Sequence, residues 1–415
     1  MSADPENPLR PKMLDFSLIL TIAISALAIN VAVPSIPLTQ TALGGRVMDG
    51  HYIMTAFLLG YALGHIPFGL LADRYGRKTI LLAGLLLFTL GGLASSFAVD
   101  IPGMLWARFV QGLGGAAGPV IVRAMARDLT SGPALSALMT KLMNSLAFIP
   151  LIAPLLGSAI LSFYGWRGPY IFSWVLGVVS FIVIFVFVPE TQKPGAVPAA
   201  KEHRLRKSFV LFITHRESLW GAGLLMALFF GYLGMMSGIA SVLHDVYGFK
   251  GPSIGWIVGA LLLPYAGSAT YNRMAARTGF LKTPRSIQSL LRLGVYFFIG
   301  AVGLAIVALF LPIVPLWLFF AVIVIYLIGM GLSFANVTVI ALTGQAKTAG
   351  FAAGIMGSVQ IGAGALGSWG AAAFYNQSSF SLLLMMLLAA TSFVAIYYGG
   401  VSSGNTPAQK RVGQT

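Results

Sequence analysis

Cysteine is missing from all 415 residues, which excludes disulfide staples and thiol chemistry. Charge is scarce too. Only 9% of the residues are Asp, Glu, Lys or Arg, against 57% hydrophobic, and the mean hydropathy is +0.87. A water-soluble domain with so few charges would have no way to hide that much apolar surface, so the composition describes a polytopic membrane protein. Acids are scarcest of all, 11 against 26 Lys and Arg. They are Asp4, Glu6, Asp15, Asp49, Asp73, Asp100, Asp128, Glu190, Glu202, Glu217 and Asp245, and none falls at the middle of an apolar run. The sequence also lacks a metal-ligand cluster, a nucleophile constellation and a phosphate-binding loop. An enzyme is left without chemistry, and no soluble domain is there to receive a signal.

What is present is a series of twelve apolar runs, at roughly 14–37, 50–71, 79–98, 103–126, 135–163, 168–188, 218–243, 253–272, 287–311, 315–336, 349–374 and 380–399. Crossing a bilayer takes about 20 apolar residues as a helix. The runs are continuous rather than alternating, which argues for helices and against a barrel. The tenth run extends to Leu342 on one reading, and the eleventh is rich in Gly. Leu14–Val33 follows a short polar start, Met1 to Lys12, without a small-residue cleavage site. It reads as a first helix rather than a removable signal.

Lys and Arg set the orientation. With the N-terminus in the cytoplasm, 21 of the 26 fall on the cytoplasmic side, while the other side holds only Arg46, Arg167 and Lys250. Arg108 and Lys141 remain inside spans. This is a strong positive-inside pattern, and it assigns the formal charge of +15 to lipid headgroups rather than to nucleic acid. One long polar connector, Pro189 to Glu217, lies near the midpoint with six runs on either side. The expected organisation is a six-helix bundle over 1–188, a cytoplasmic linker over 189–217, and a second bundle over 218–415 ending in a short tail. Internal echoes support the doubling: Leu156-Gly157-Ser158 recurs as Leu366-Gly367-Ser368, and Asn272-Arg273 with Arg277 echoes Asp73-Arg74 with Arg77. Doubled membrane chains of this kind place a substrate site between the halves.

Between the second and third runs lies Gly69-Leu-Leu-Ala-Asp73-Arg74-Tyr-Gly76-Arg77-Lys78, a tight hairpin at a membrane surface. It resembles the signature loop of the major facilitator superfamily, G-x-x-x-D-R-x-G-R-K. The stretch from Arg108 through Gln111, Gly112 and Gly114 resembles a second signature, R-x-x-Q-G-x-G-A-A. Pro150, Pro154, Gly157 and Ser158 on the fifth run resemble the antiporter signature G-P-x-x-G-G, with Ala153 and Ser158 where glycines are usual. Together with Asn30 to Pro37, Arg123 to Asp128 and Leu243 to Gly248, these residues are similar to the Bcr/CflA branch of drug exporters.

The resemblance implies an all-α fold of twelve transmembrane helices in two pseudo-symmetric six-helix bundles, in the bacterial inner membrane, with both termini cytoplasmic. It implies multidrug efflux, including drugs such as bicyclomycin and chloramphenicol, by a drug–proton antiporter. The expected partners are a small-molecule substrate, protons and membrane lipids. The chain is expected to work as a monomer without cofactor, metal or nucleic acid. The resemblance also implies a gating cluster of Asp73, Arg77 and Asp128, with Asp73 facing the start of the eleventh helix near Ala349. Gly69, Arg74, Gly76, Lys78, Pro150, Pro154 and Gly157 complete the gating set.

The branch often carries an acid in its first helix where this chain has Asn30, so the proton carrier is open. His65, Arg108, Lys141 and Asp128 are the candidates. His65 titrates near neutrality, yet a lone His in an apolar run is also an ordinary packed residue. Lys141 reads equally as a buried titrating group and as a cation snorkelling to the surface. Asp128, at a helix end, reads also as a structural ion pair. For the substrate the candidates are Asn30, Arg108, Phe229, Tyr232, Met235, Met236 and Asn336, because aromatic and Met side chains make adaptable apolar contacts. Each reads alternatively as core or lipid-facing packing. A carrier of an organic anion, a metabolite or siderophore, running as a uniporter or importer, is the second functional reading. The missing mid-span acid beside Arg108 and Lys141 favours it.

Overall fold

The computed structural model describes residues 9–46, 48–192, 212–277, 284–342 and 349–402, without the side chains of 9–11, 136, 144, 147, 284–287, 349–353 and 402. Among the described residues twelve helical units follow the twelve runs. α1 is Leu9–Ala32, continued through a 3-10 turn, Val33–Ser35, into Ile36–Ala42. α2 is Asp49–Tyr75 and α3 is Arg77–Ser96. α4 joins Ile101–Gly115 to Ala117–Leu129, α5 is Gly132–Tyr164 and α6 is Gly168–Phe187. In the second half, α7 is Arg216–Asp245, and α8 joins Pro252–Leu261 to Leu263–Arg277. α9 is Pro284–Leu309, α10 Leu316–Leu342, α11 Ala349–Ala373 and α12 Phe380–Ser402. Among the described residues ten stretches are long and apolar enough to cross a membrane. One of them, Gly132–Phe187, contains both α5 and α6, and the Gly-rich α11 is the twelfth unit.

Local sequence explains the ends and breaks. Asp100 caps α4, its carboxylate accepting from the Gly103 N–H at 2.8 Å, which satisfies one of the free donors of the first turn. Proline explains the turn in α1, where Pro34 and Pro37 remove backbone donors. The hairpin read between the second and third runs is tighter than its ten residues suggest. Asp73 and Arg74 sit in the last turn of α2, Arg77 and Lys78 in the first turn of α3, and Gly76 alone makes the turn. Its φ of 100° is open to Gly and strained for any side chain.

The twelve helices form two six-helix bundles. α1 packs on α5 and α6, α2 on α4, and α3 on α4 and α6; six helices later, α7 packs on α11 and α12, α8 on α10, and α9 on α10 and α12. Between bundles the two main contacts are also a matched pair, α2 with α11 and α8 with α5. The repeated Leu-Gly-Ser triplet lies at corresponding places in this pattern. Gly157 abuts the carbonyl of Val31 on α1, and Gly367 abuts the carbonyl of Phe230 on α7. The next residue in each faces the other bundle: Ser158 lies against Gly255 of α8, and Ser368 bonds Thr55 of α2 at 2.7 Å. The absent side chain at Gly157 and Gly367 lets the backbones touch, the usual device where helices associate without help from water. Large apolar side chains such as Leu63, Ile182, Phe185 and Tyr296 stand exposed on the outside, as a lipid-facing surface requires.

Candidate functional site

The chain has a basic end, where α2 meets α3, and a far end, where α1 meets α2. At the basic end the Glu190 carboxylate caps α3. It accepts from the N–H groups of Arg77 at 2.8 Å, Lys78 at 3.1 Å and Thr79 at 3.4 Å. A carboxylate there satisfies orphan donors and the positive end of the helix dipole. A Cβ on Gly76 would stand 2.6 Å from Glu190 Oε2, so Gly76 serves the cap as well as the turn. Lys78 Nζ donates to the Phe185 carbonyl at 2.8 Å.

Arg77 points the other way. Its Nε lies 2.7 Å from Asp128 Oδ2, and its Nη2 lies 3.7 Å from Asp73 Oδ1. Gln192 accepts from Arg77 Nε at 3.1 Å and donates to the Asp73 carbonyl at 2.7 Å. Thr191 Oγ1 donates to Asp128 at 3.1 Å. The cluster of Asp73, Arg77 and Asp128 is thus assembled, and it ties together α2, α3, α4 and the chain just after α6. The expected contact of Asp73 with the start of α11 near Ala349 lies outside the described side chains. Arg74 is exposed, 5.2 Å from the Tyr75 ring.

Glu190, Thr191 and Gln192 were not among the sequence candidates. Pro189 to Glu217 reads as linker, and the available signal was a lone acid directly after an apolar run. Glu190→Ala is expected to cost about 1 kcal/mol of stability, the usual value of a lost cap. Thermal unfolding in detergent checks this, and an unchanged midpoint contradicts it.

Beside this cluster lies a cavity of about 260 Å³ between α2, α4 and α11. Its polar lining is His65 and Asp73 from α2, Arg77 from α3, and Arg123, Arg127 and Asp128 from α4. Ile66, Gly69, Leu70, Val120, Ala124, Gly354 and Ile355 supply the rest. His65 is buried, with Nδ1 2.6 Å from the Tyr61 carbonyl and its ring edge-on to Tyr61 at 4.7 Å. Arg123 Nε donates to the Pro119 carbonyl. Among the described residues neither Arg123 nor Arg127 has a carboxylate within ion-pair distance.

Arg108 sits apart, deep in the first bundle and 1% exposed. Its guanidinium lies 4.5 Å from the centre of the Phe57 ring and 5.5 Å from that of Tyr170. Nη1 donates to Gln111 at 2.5 Å, and Nε is buried without a partner among the described residues. An intramembrane Arg costs roughly 2.5–3.5 kcal/mol on insertion scales. Here aromatic faces, rather than a carboxylate, offset that cost.

The remaining candidates stand outside the cavity. Met235 and Met236 are fully buried core, and Tyr232 is nearly so. The reason is that α7 is enclosed by α2, α10, α11 and α12, so almost no face of it is free. Phe229 packs against Tyr232 and Phe334. Asn336 is held by Asn272 at 3.2 Å and the Leu332 carbonyl at 2.8 Å. Asn30 donates to the Ala26 carbonyl at 2.8 Å, and its Oδ1 is buried without a partner among the described residues. Lys141 is neither buried nor in the cavity. Its side chain is 57% exposed, and Nζ lies 2.6 Å from Asp15. Pro150 and Pro154 lie inside α5, and the Pro154 carbonyl abuts Gly255.

At the far end the two bundles meet around two glycines. Pro34, Pro154 and Ser158 surround Gly255, and His51 packs against Gly238. The His51 ring lies 4.5 Å from that of Tyr375. Tyr375 donates its hydroxyl proton to Asp245 Oδ2 at 2.8 Å. Burial first, and then the Asp245 carboxylate, raise the Tyr375 hydroxyl pKa above its ordinary value, so it stays a donor. Sequence spacing carried no sign of this cluster, whose members come from α2, α7 and the loop after α11.

Comparison with known proteins agrees with this architecture. The sequence model described as Major Facilitator Superfamily matches residues 18–368. An uncharacterized transporter of Rickettsia bellii is 30% identical over 73% of this chain and 75% of its own length. The multidrug resistance protein MdtM of Escherichia coli O157:H7 is 31% identical over 64% of this chain and 63% of its own. A bicyclomycin resistance protein homolog of Haemophilus influenzae is 27% identical over 58% and 61%. The match to a Rickettsia felis transporter, 37% identical, spans only 34% of that protein's length. Among solved structures, a D-xylose–proton symporter superposes with a TM-score of 0.71 at 14% identity, over 92% of this chain and 97% of that one. An inward-facing, unoccupied bacterial homolog of the human lysosomal transporter Spinster gives 0.68 at 15% identity, over 98% of both chains.

Proposed function

Because the chain belongs to the major facilitator superfamily, we propose that this membrane transporter exports small amphipathic molecules by alternating access, in exchange for protons. One observation carries the reading: the bundles close on each other at the far end, around Gly255 and His51, while a cavity lined from both bundles lies at the basic end. Rocking about the α2–α11 and α5–α8 contacts would exchange the closed end for the open one. The Lys and Arg distribution supports a cytoplasmic basic end, and hence an inner-membrane protein whose cavity faces the cytoplasm. The multidrug and bicyclomycin resistance relatives support a drug-like cargo.

In this account Asp73, Arg77 and Asp128 latch the basic end when it closes. His65 takes the coupling proton, since it is the imidazole in the cavity wall. Lys141 is left to its exposed pair with Asp15.

The test is transport in liposomes holding purified protein. An imposed pH gradient is expected to drive accumulation of a fluorescent drug at least tenfold over protein-free liposomes. Movement that follows membrane potential alone, and only for anions, would replace the antiporter with a uniporter.

A further inference from the structure

Charge within the basic-end cavity is not balanced. Both of its carboxylates are already engaged, Asp128 by Arg77 at 2.7 Å and Asp73 by the same guanidinium at 3.7 Å. Arg123 and Arg127, on the same wall, have no carboxylate partner among the described residues. Nor is Arg123 one of the loop cations that meet lipid headgroups. It lies six residues inside the end of α4, about 9 Å up the helix axis, and is half-buried with Nε held by the Pro119 carbonyl. A cation left uncompensated at that depth is costly unless something supplies the opposite charge. The cavity lining beside it includes Ile66, Leu70, Val120 and Ile355, which would pack an apolar body.

We propose that the basic-end cavity binds an amphipathic anion, its charge held by Arg123 and Arg127 and its apolar part by α2 and α11. A cationic amphipath entering the same space meets three arginines against two carboxylates, both already paired with Arg77, so selection by charge is built into the wall. The volume of about 260 Å³ falls just under the roughly 300–1,000 Å³ of drug-sized sites, which suits a small aromatic or short-chain anion. The source is either a soluble organic acid or an acidic lipid headgroup, which share this chemistry. The inference rests on the transport reading only for the fate of the bound anion.

The experiment is equilibrium binding to the full chain in nanodiscs of neutral phosphatidylcholine, with naphthalene-2-sulfonate as the anion and tetraphenylphosphonium as the cation. The sulfonate is expected to bind at least tenfold more tightly than the cation. Arg123→Gln should weaken sulfonate binding at least tenfold and Arg127→Gln severalfold, while Arg46→Gln at the far end leaves it unchanged. Arg123→Lys, which keeps the charge, should bind more tightly than Arg123→Gln. If Arg123→Gln does not give monodisperse protein, Arg127→Gln carries the test. In nanodiscs containing phosphatidylglycerol, sulfonate binding that weakens for the wild-type chain and for Arg123→Lys, but not for Arg123→Gln, identifies a lipid occupant, and unchanged affinity identifies a soluble one. Equal affinity for the two ions, or wild-type sulfonate binding in the double Gln variant, overturns the proposal. Binding uses no gradient. Intact anion selectivity with no transport would therefore sink the transport reading alone, and transport without anion selectivity would sink this one alone.

Discussion

Asp73→Asn is expected to abolish transport while the protein still inserts and folds. The carboxylate is about a third exposed and lies 3.7 Å from Arg77, so its share of folding stability is that of a surface pair, about 0–1 kcal/mol. Transport depends on something else, the difference between two states. If Asp73 supports the closed basic end and not the open one, losing its charge shifts that equilibrium by the coupling itself. Couplings of about 1–3 kcal/mol are typical, a factor of roughly 5–150. The loss should therefore appear as at least a tenfold fall in vesicle transport, with unchanged amounts of protein in the membrane fraction. Full activity in that variant would remove the latch from the mechanism.

Arg108→Ala is expected to reduce transport by at least a hundredfold, and Arg108→Lys to restore less than a tenth of it. The side chain is fully enclosed between Phe57 on α2 and Tyr170 on α6, with Gln111 on its Nη1. A desolvated cation–π contact is worth about 2 kcal/mol or more, and a planar guanidinium makes two such contacts at once. Lysine keeps the charge but loses the stacked plane and the geometry of the Gln111 bond. Transport rates of the two variants, normalised to folded protein, decide the matter. Wild-type rates for Arg108→Lys would reduce Arg108 to a mere positive charge, and wild-type rates for Arg108→Ala would make it packing alone.

The features legible in the sequence are those the bilayer imposes directly. Lipid leaves no partner for unpaired backbone, so each crossing is a long apolar helix and each turn a polar break. That is why the runs and the Gly76 turn could be read in advance, while Leu342 was only an alternative end for the tenth run, which the structure adopts. The Leu-Gly-Ser repeat was visible as well, though not that Gly would face its own bundle and Ser the other. What stayed hidden depends on pairs far apart in the chain. Glu190 caps a helix that begins 113 residues earlier, and Lys141 finds Asp15 across 126 residues. No spacing rule connects such residues. Met235 and Met236 show the same limit, since their composition suits a pliable cavity but α7 is enclosed on nearly every face.

The account's central claim is that the two bundles separate at the far end during each cycle. The absence of cysteine makes this directly measurable, because any introduced pair reports alone. Thr55 on α2 and Ser368 on α11 stand with hydroxyl oxygens 2.7 Å apart across the bundle boundary, close enough for the side-chain geometry of a disulfide. With both replaced by Cys and oxidised, transport should stop, and reduction should restore it. Fully cross-linked protein that transports at the rate of its reduced form would contradict the account.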